Sequence, residues 1–262
     1  MTQVPQLRIE DHGAQRWIIA DNPARLNAYT AAMWQTLPAL VRDAESNPAV
    51  RVVILTGAGE TAFSAGADIT EFDKQRSGEQ ARRYDDFNNS AFAALANCAK
   101  PTIAMVHGIC FGGGLELAIC CDMRLAADTA RFSIPAARLG IGYNARWIKP
   151  LLSVVSPAVA KEILFTARRY DAQAALRIGL VNAVHPARGL AEATRALAEE
   201  LAANAPLSIR AAKAAINALA HPSDGVDLTA IDALVHACFE SEDYAEGRLA
   251  FAEKRKPAFK GC

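Results

Sequence analysis

Nowhere in this 262-residue chain is there a C-x-x-C pair, although six cysteines are present: Cys98, Cys110, Cys120, Cys121, Cys238 and Cys262. That usage argues against a disulfide-stapled secreted scaffold and points to a reducing, cytoplasmic setting. No His, Cys and Asp grouping has metal-ligand spacing, so no metal is expected. An excess of one charge is also missing. The 28 basic and 28 acidic residues cancel, which removes any global field for nucleic acid or an anionic membrane. Glu10 and Asp11 come soon after Met1, in neither a signal pattern nor an amphipathic presequence. The most apolar stretch, Pro101 to Cys121, contains His107, Gly108, the glycines at 112–114 and Glu116. A buried strand, a turn and a helix start suit it better than a membrane span.

Nucleotide and hydrolase motifs are absent too. Gly108, Gly112, Gly113 and Gly114 do not spell G-x-G-x-x-G, and no Walker lysine follows a glycine run. Ser64 and Ser133 lack the G-x-S-x-G elbow of a serine nucleophile. Dinucleotide binding, nucleotide hydrolysis and serine hydrolase chemistry therefore find no support.

What is present is a core: 52% of residues are hydrophobic, enough for one large domain. Leu7 to Ile9 and Trp17 to Ile19 read as short strands around the turn Asp11-His12-Gly13. Met33, Leu37, Leu40, Val41 and Ala44 recur at helical spacing, with Pro38 predicting a kink or a helix start nearby. Val50 to Thr56, Thr102 to Val106 and Met123 to Ala127 are strand candidates; apolar runs of this kind indicate a parallel sheet covered by helices. Phe63 to Asp68 is expected to be irregular, and Glu79 to Ala99 helical. Beyond Ser156-Pro157, Asp171 and Pro206, each placed to begin a helix, alanine-rich helices are expected over 190–203, 207–220 and 226–239, with a last one from Ser241.

Two glycine-containing loops follow predicted strands and could present uncovered backbone N–H groups to an oxyanion, Ala67 from one and Gly113 from the other. Close strand-to-helix packing explains the same glycines equally well. Glu116, between Leu115 and Leu117, is a carboxylate in an apolar run. Burial would raise its pKa, which suits acid or base work, though a structural salt bridge remains open. Tyr143 and Asn144 either face a pocket or cap a turn. His107 reads as a core or turn histidine, Cys120-Cys121 as inert packing and Asp68 as a structural carboxylate.

The ordered set Phe63-Ser64-Ala65-Gly66-Ala67-Asp68-Ile69, Gly112-Gly113-Gly114-Leu115-Glu116-Leu117-Ala118 and Cys121-Asp122 resembles the crotonase, or enoyl-CoA hydratase/isomerase, superfamily. The likeness continues through Phe165-Thr166-Ala167-Arg168 and Gly179-Leu180-Val181 to Glu253-Lys254-Arg255-Lys256-Pro257-Ala258-Phe259. It implies an α/β crotonase-like spiral of repeated β-β-α units over 1–195 and a helical region over 196–262 that mediates trimers, often paired into hexamers. The implied substrate is an acyl-CoA, with coenzyme A as part of the thioester and no prosthetic group. Ala67 and Gly113 match the residues whose N–H groups hold the thioester oxygen. Ala65, Ala67, Asp68 and Ile69 match the adenine-contacting loop, and Lys260 a tail lysine that reaches CoA.

One departure stands out. Hydratases of this superfamily pair the glutamate matched by Glu116 with a second, directly after a proline; here Pro135 is followed by Ala136. Alanine transfers no proton, so two-carboxylate hydration does not carry over intact. The leading expectation is addition of water to a 2-enoyl-CoA by Glu116, with water or Tyr143 completing proton delivery. A second is decarboxylation, since Leu139 to Asn144 is similar to the matching region of methylmalonyl-CoA decarboxylases, where Tyr143's counterpart orients the substrate carboxylate. A third is a CoA-binding or scaffold protein without catalysis.

Overall fold

The apolar runs become the parallel strands of a large sheet, and much shorter segments between them build a second one. The computed structural model describes residues 4–71, 78–220 and 228–262. The larger sheet has the order β1-β2-β3-β5-β7-β10, with β1 (Gln6–His12), β2 (Gln15–Asp21), β3 (Val52–Gly57), β5 (Thr102–Val106), β7 (Met123–Ala127) and β10 (Ala183–His185). Only the β1–β2 hairpin is antiparallel. Alternate residues of β3 serve opposite faces, as the period of a strand requires. Val53 and Leu55 join the main core with Trp34, Leu37 and Val41 of α1 (Ala31–Ser46), while Val52 and Ile54 meet Leu190 and Ala198 of a helix packed on the other face. Pro38 neither starts nor interrupts α1. The helix begins seven residues earlier, where Thr30 accepts the N–H of Met33, and continues through the buried proline to Ser46.

The smaller sheet, in the order β4-β6-β8-β9, was not expected. Ala62–Ser64 is strand β4, so Phe63 and Ser64 are extended and paired rather than irregular. It runs parallel to β6 (Ile109–Phe111), which runs parallel to β8 (Arg131–Ser133), and β9 (Tyr170–Asp171) closes the edge antiparallel. The architecture follows from the alternation. The chain enters the large sheet at β3, β5 and β7, crosses to the small one at β4, β6 and β8, and then returns through a helical segment. For the first two turns these helices are α2 (Gly78–Ala96) and α3 (Gly113–Cys120). After β8 come a 3-10 turn over Pro135–Leu139 and α4 (Ala145–Val154). Each repeat is one β-β-α turn of an α/β spiral, the crotonase-like fold.

The C-terminal part is helical. The caps foreseen at Ser156 and Asp171 are in place, each side chain accepting the N–H of the residue three further on, before α5 (Pro157–Thr166) and α6 (Ala172–Arg177). Helix α7 (Leu190–Ala203) covers the outer face of the large sheet, followed by α8 (Pro206–Ala220), α9 (Leu228–Glu240) and α10 (Glu242–Glu253). No described helix is long and apolar enough to cross a membrane.

Candidate active site

Because β4, β6 and β8 are parallel neighbours, whatever follows their C-terminal ends is brought side by side. Ser64 pairs with Cys110 and Phe111 with Ser133. Ala65, Ala67, Gly112, Gly113 and Ile134 to Ala136 thus line one cavity of about 100 Å³. Two glycines allow the loops to approach. A Cβ on Gly66 would lie 3.0 Å from the nitrogen of Gly113, and one on Gly114 would lie 2.5 Å from the carbonyl oxygen of Ser64.

The hydrogen bonds around Ala67 are made by its neighbours. Tyr29 donates to the carbonyl of Gly66 at 2.7 Å and accepts from the N–H of Asp68 at 2.9 Å. The N–H of Ala65 goes to Leu26 and that of Gly66 to the Ser64 hydroxyl. Both bonds of the Tyr29–Ala67 bridge are made by the residues flanking Ala67, so the N–H of Ala67 is not used in it. Gly113 is the first residue of α3, whose leading N–H groups lack intrahelical acceptors. A Cβ placed on Gly113 would sit 3.8 Å from the Ala67 nitrogen. Two N–H groups this close together could serve one oxyanion, aided by the positive end of a helix dipole.

Arg124 fixes the opposite end of α3. Its buried guanidinium donates to the carbonyls of Cys121 at 2.7 Å and Leu180 at 2.9 Å, with longer bonds to Ala118 and Ile119. Glu116 lies in the first turn of this anchored helix and is 1% exposed. Burial pushes its carboxyl up to about 8, opposed by a hydrogen bond from Tyr143. The Tyr143 hydroxyl donates to Oε2 at 2.9 Å, while Oε1 has no partner. Burial first, and then the neighbouring Glu116, raise the phenol well above its ordinary value. Tyr143 lines the cavity and Glu116 does not, so the hydrogen bond from Tyr143 links the carboxyl to a residue of the wall. Asn144, the other candidate of that loop, instead caps α4 by accepting the N–H of Arg146.

Aromatic rings form the remaining wall. Trp147 meets Tyr143 edge-on at 5.4 Å and Phe92 at 6.3 Å, and Phe92 meets Trp34 at 5.5 Å. Ala136 contributes only a methyl group where a second carboxylate was sought. Among the described residues the wall contains no Lys, Arg or His, and no cluster of His, Cys, Asp or Glu could hold a metal ion. The thiols of Cys120 and Cys121 are pushed up by burial and do not line the cavity.

The other expected contacts are dispersed. Ala65 lines the cavity, whereas Asp68 turns away and accepts the N–H and hydroxyl of Thr70 at 3.0 and 2.7 Å. Ile69 begins a short 3-10 turn, and its side chain lies outside the described residues. Lys260 is remote from the cavity wall, on a tail strapped to Asp243, with its ammonium 3.7 Å from Glu242. Trp34, Phe92, Trp147 and Asn88 also line the cavity, and sequence reasoning did not single them out. The polar run Asp85-Asp86-Phe87-Asn88-Asn89 gives no sign of which face turns inward.

Comparison with known proteins agrees with this arrangement. The family model described as enoyl-CoA hydratase/isomerase matches residues 16–262. A short-chain-enoyl-CoA hydratase of Clostridium acetobutylicum is 35% identical, the alignment covering 95% of each chain. A carnitinyl-CoA dehydratase of Proteus mirabilis is 37% identical over 97% of this chain and 98% of its own. The crystal structure of an enoyl-CoA hydratase/carnithine racemase from Magnetospirillum magneticum superposes with a TM-score of 0.91 at 36% identity, covering 98% of this chain and 96% of that one. With the fold and nearly the whole length in agreement, the chain belongs to the enoyl-CoA hydratase/isomerase family.

Proposed function

We propose that this protein adds water across the double bond of a short 2-enoyl-CoA, using Ala67 and Gly113 as oxyanion donors and the Tyr143–Glu116 pair as its proton carrier. The observation that carries this reading is that Tyr143, hydrogen-bonded to Glu116, lines the same small cavity as Ala67 and Gly113. Water oxygen bonds to C3 while one of its protons passes to the Tyr143 oxygen and the tyrosine proton moves to ionised Glu116. The C2–C3 π electrons shift toward C2, and the resulting enolate charge on the thioester oxygen is held by the N–H groups of Ala67 and Gly113. The proton then returns from Glu116 through Tyr143 to C2, leaving a 3-hydroxyacyl-CoA and the pair restored. Supporting this choice over decarboxylation of a diacid half-ester, the described residues of the cavity wall include no cationic side chain to hold a second carboxylate.

The coenzyme is proposed to run past Ala65, Ala67, Asp68 and Ile69, with Lys260 a phosphate contact at its outer end. Assembly into trimers through the 196–262 region is supported by large apolar side chains left exposed there: Ile216, Leu219, Phe239, Leu249 and Phe251. The cytoplasmic placement rests on six unpaired cysteines, four of them buried.

The reading is tested by the mass of the product from crotonyl-CoA, which must gain one water. A companion variant probes the missing acid. Ala136 is in the cavity wall, so Ala136→Glu is expected to raise kcat for crotonyl-CoA hydration by roughly tenfold, below the ~10²-fold or more of an optimised acid–base group because the carboxylate also takes up room. A fall in kcat would mean that the methyl group is needed as space for the substrate.

A further inference from the structure

Among the described residues, four buried side-chain polar atoms have no hydrogen-bond partner: Oε1 of Glu116, Oδ1 of Asn88, Nε2 of His107 and the hydroxyl of Tyr170. Neither His107 nor Tyr170 reaches the cavity, and Glu116 already has a role. Asn88 is left, 4% exposed, on α2, and part of the cavity wall. Its neighbour Asn89 illustrates how a buried amide is ordinarily satisfied, accepting the indole N–H of Trp147 at 2.8 Å.

Packing does not account for an asparagine here. Leucine has nearly the same shape, would sit among Trp34, Phe92 and Trp147, and would avoid the cost of desolvating an amide. Native structures satisfy the large majority of buried polar side-chain atoms, so an unsatisfied amide on a residue of a cavity wall is itself a pointer to a ligand. We infer that Asn88 is a specificity-determining residue that selects acyl groups carrying a neutral hydrogen-bonding substituent, a hydroxyl above all, over plain alkyl chains. The inference deepens the hydratase reading and rests on it for the identity of the thioester.

The chemistry of the substituent follows from the wall. An amide offers an acceptor beside donors, so a hydroxyl, which both donates and accepts, fits whichever way the amide is turned. With no Lys, Arg or His among the described residues of the wall, those residues would leave a carboxylate unpaired. Water can satisfy Asn88 in the free enzyme. A plain alkyl chain expels that water and leaves the amide alone, whereas a hydroxyl takes its place. Sites built to bond a substrate hydroxyl discriminate against analogues that lack it much more strongly than apolar pockets reject an added group.

The experiment compares crotonyl-CoA with 4-hydroxycrotonyl-CoA, in the parent protein and in Asn88→Leu. The parent is expected to favour the hydroxylated substrate by about tenfold in kcat/KM. In Asn88→Leu the preference inverts: KM for 4-hydroxycrotonyl-CoA rises about tenfold and KM for crotonyl-CoA falls. Should the leucine variant not fold, Asn88→Ala carries the same readout. Calorimetric dissociation constants for butyryl-CoA and 4-hydroxybutyryl-CoA, which cannot be hydrated, give the same comparison without turnover. If the parent hydrates neither enoyl ester, the hydratase reading fails, while the two dissociation constants still decide the role of Asn88. An unchanged substrate ratio in the variant, or equal losses on both substrates, overturns the inference in favour of a purely structural asparagine.

Discussion

Replacing Glu116 with glutamine is expected to lower kcat for hydration about a thousandfold, within the range associated with loss of a general base, while making the protein more resistant to heat above neutral pH. Both effects come from one buried carboxyl whose pKa is raised from 4.5 to about 8 by burial. Only ionised Glu116 can accept the proton relayed from water. The parent's kcat/KM should therefore rise with pH through about 8, and the glutamine variant should lose that limb. The effect on stability has the opposite sense. Between pH 4.5 and about 8 the folded state keeps a proton that the unfolded chain has already released, so the parent's stability falls as pH rises across that window. Glutamine does not ionise and escapes the loss. Thermal denaturation at pH 5 and pH 8.5 checks this: the melting temperature of Glu116→Gln relative to the parent should be higher at the alkaline pH. An equal difference at both would mean that the carboxyl is ordinary, and an unchanged kcat would remove Glu116 from the mechanism.

Tyr143→Phe is the second large effect, with kcat expected to fall roughly 10²-fold or more because the proton path between cavity and carboxyl is cut. It differs from the glutamine variant in its pH profile. The Tyr143 hydroxyl donates to Oε2 of Glu116 at 2.9 Å and lowers the carboxyl against the larger effect of burial. Without that bond the ascending limb should move to higher pH rather than vanish. Glu116 also loses its hydrogen-bond partner, so destabilisation of about 1–3 kcal/mol is expected at alkaline pH. A parent-like profile would place Tyr143 outside the proton path and leave it as one ring of the aromatic wall.

Much of this was legible in the residues themselves. Long apolar runs such as 52–55 and 102–106 have the composition of doubly covered parallel strands and became β3 and β5. Caps announce helices through local chemistry, hence the agreement at Ser156, Asp171 and Pro206. The seven-residue stretch after Gly113 is buried on all sides, which is why it reads as apolar without a stripe. Strands of two or three residues, by contrast, have no periodicity to detect. The small sheet formed by β4, β6, β8 and β9 exists because the spiral stacks equivalent turns, and that sheet is what joins Ala67 to Gly113 and Ala136. The same limit hid Asn88, which local polarity places on a helix but only tertiary packing turns inward. Glu116 was found as the odd carboxylate in an apolar run; that Tyr143 links it to the cavity wall depends on a hydrogen bond across 27 residues.

The missing second carboxylate makes the reaction itself the point to settle, since Ala136 leaves hydration to a single carboxyl and its tyrosine. Purified protein incubated separately with crotonyl-CoA and methylmalonyl-CoA, with products identified by mass spectrometry, tests the account most directly. The expected result is a crotonyl ester heavier by one water and an unaltered methylmalonyl ester. Unaltered crotonyl-CoA together with loss of carbon dioxide from methylmalonyl-CoA would contradict it.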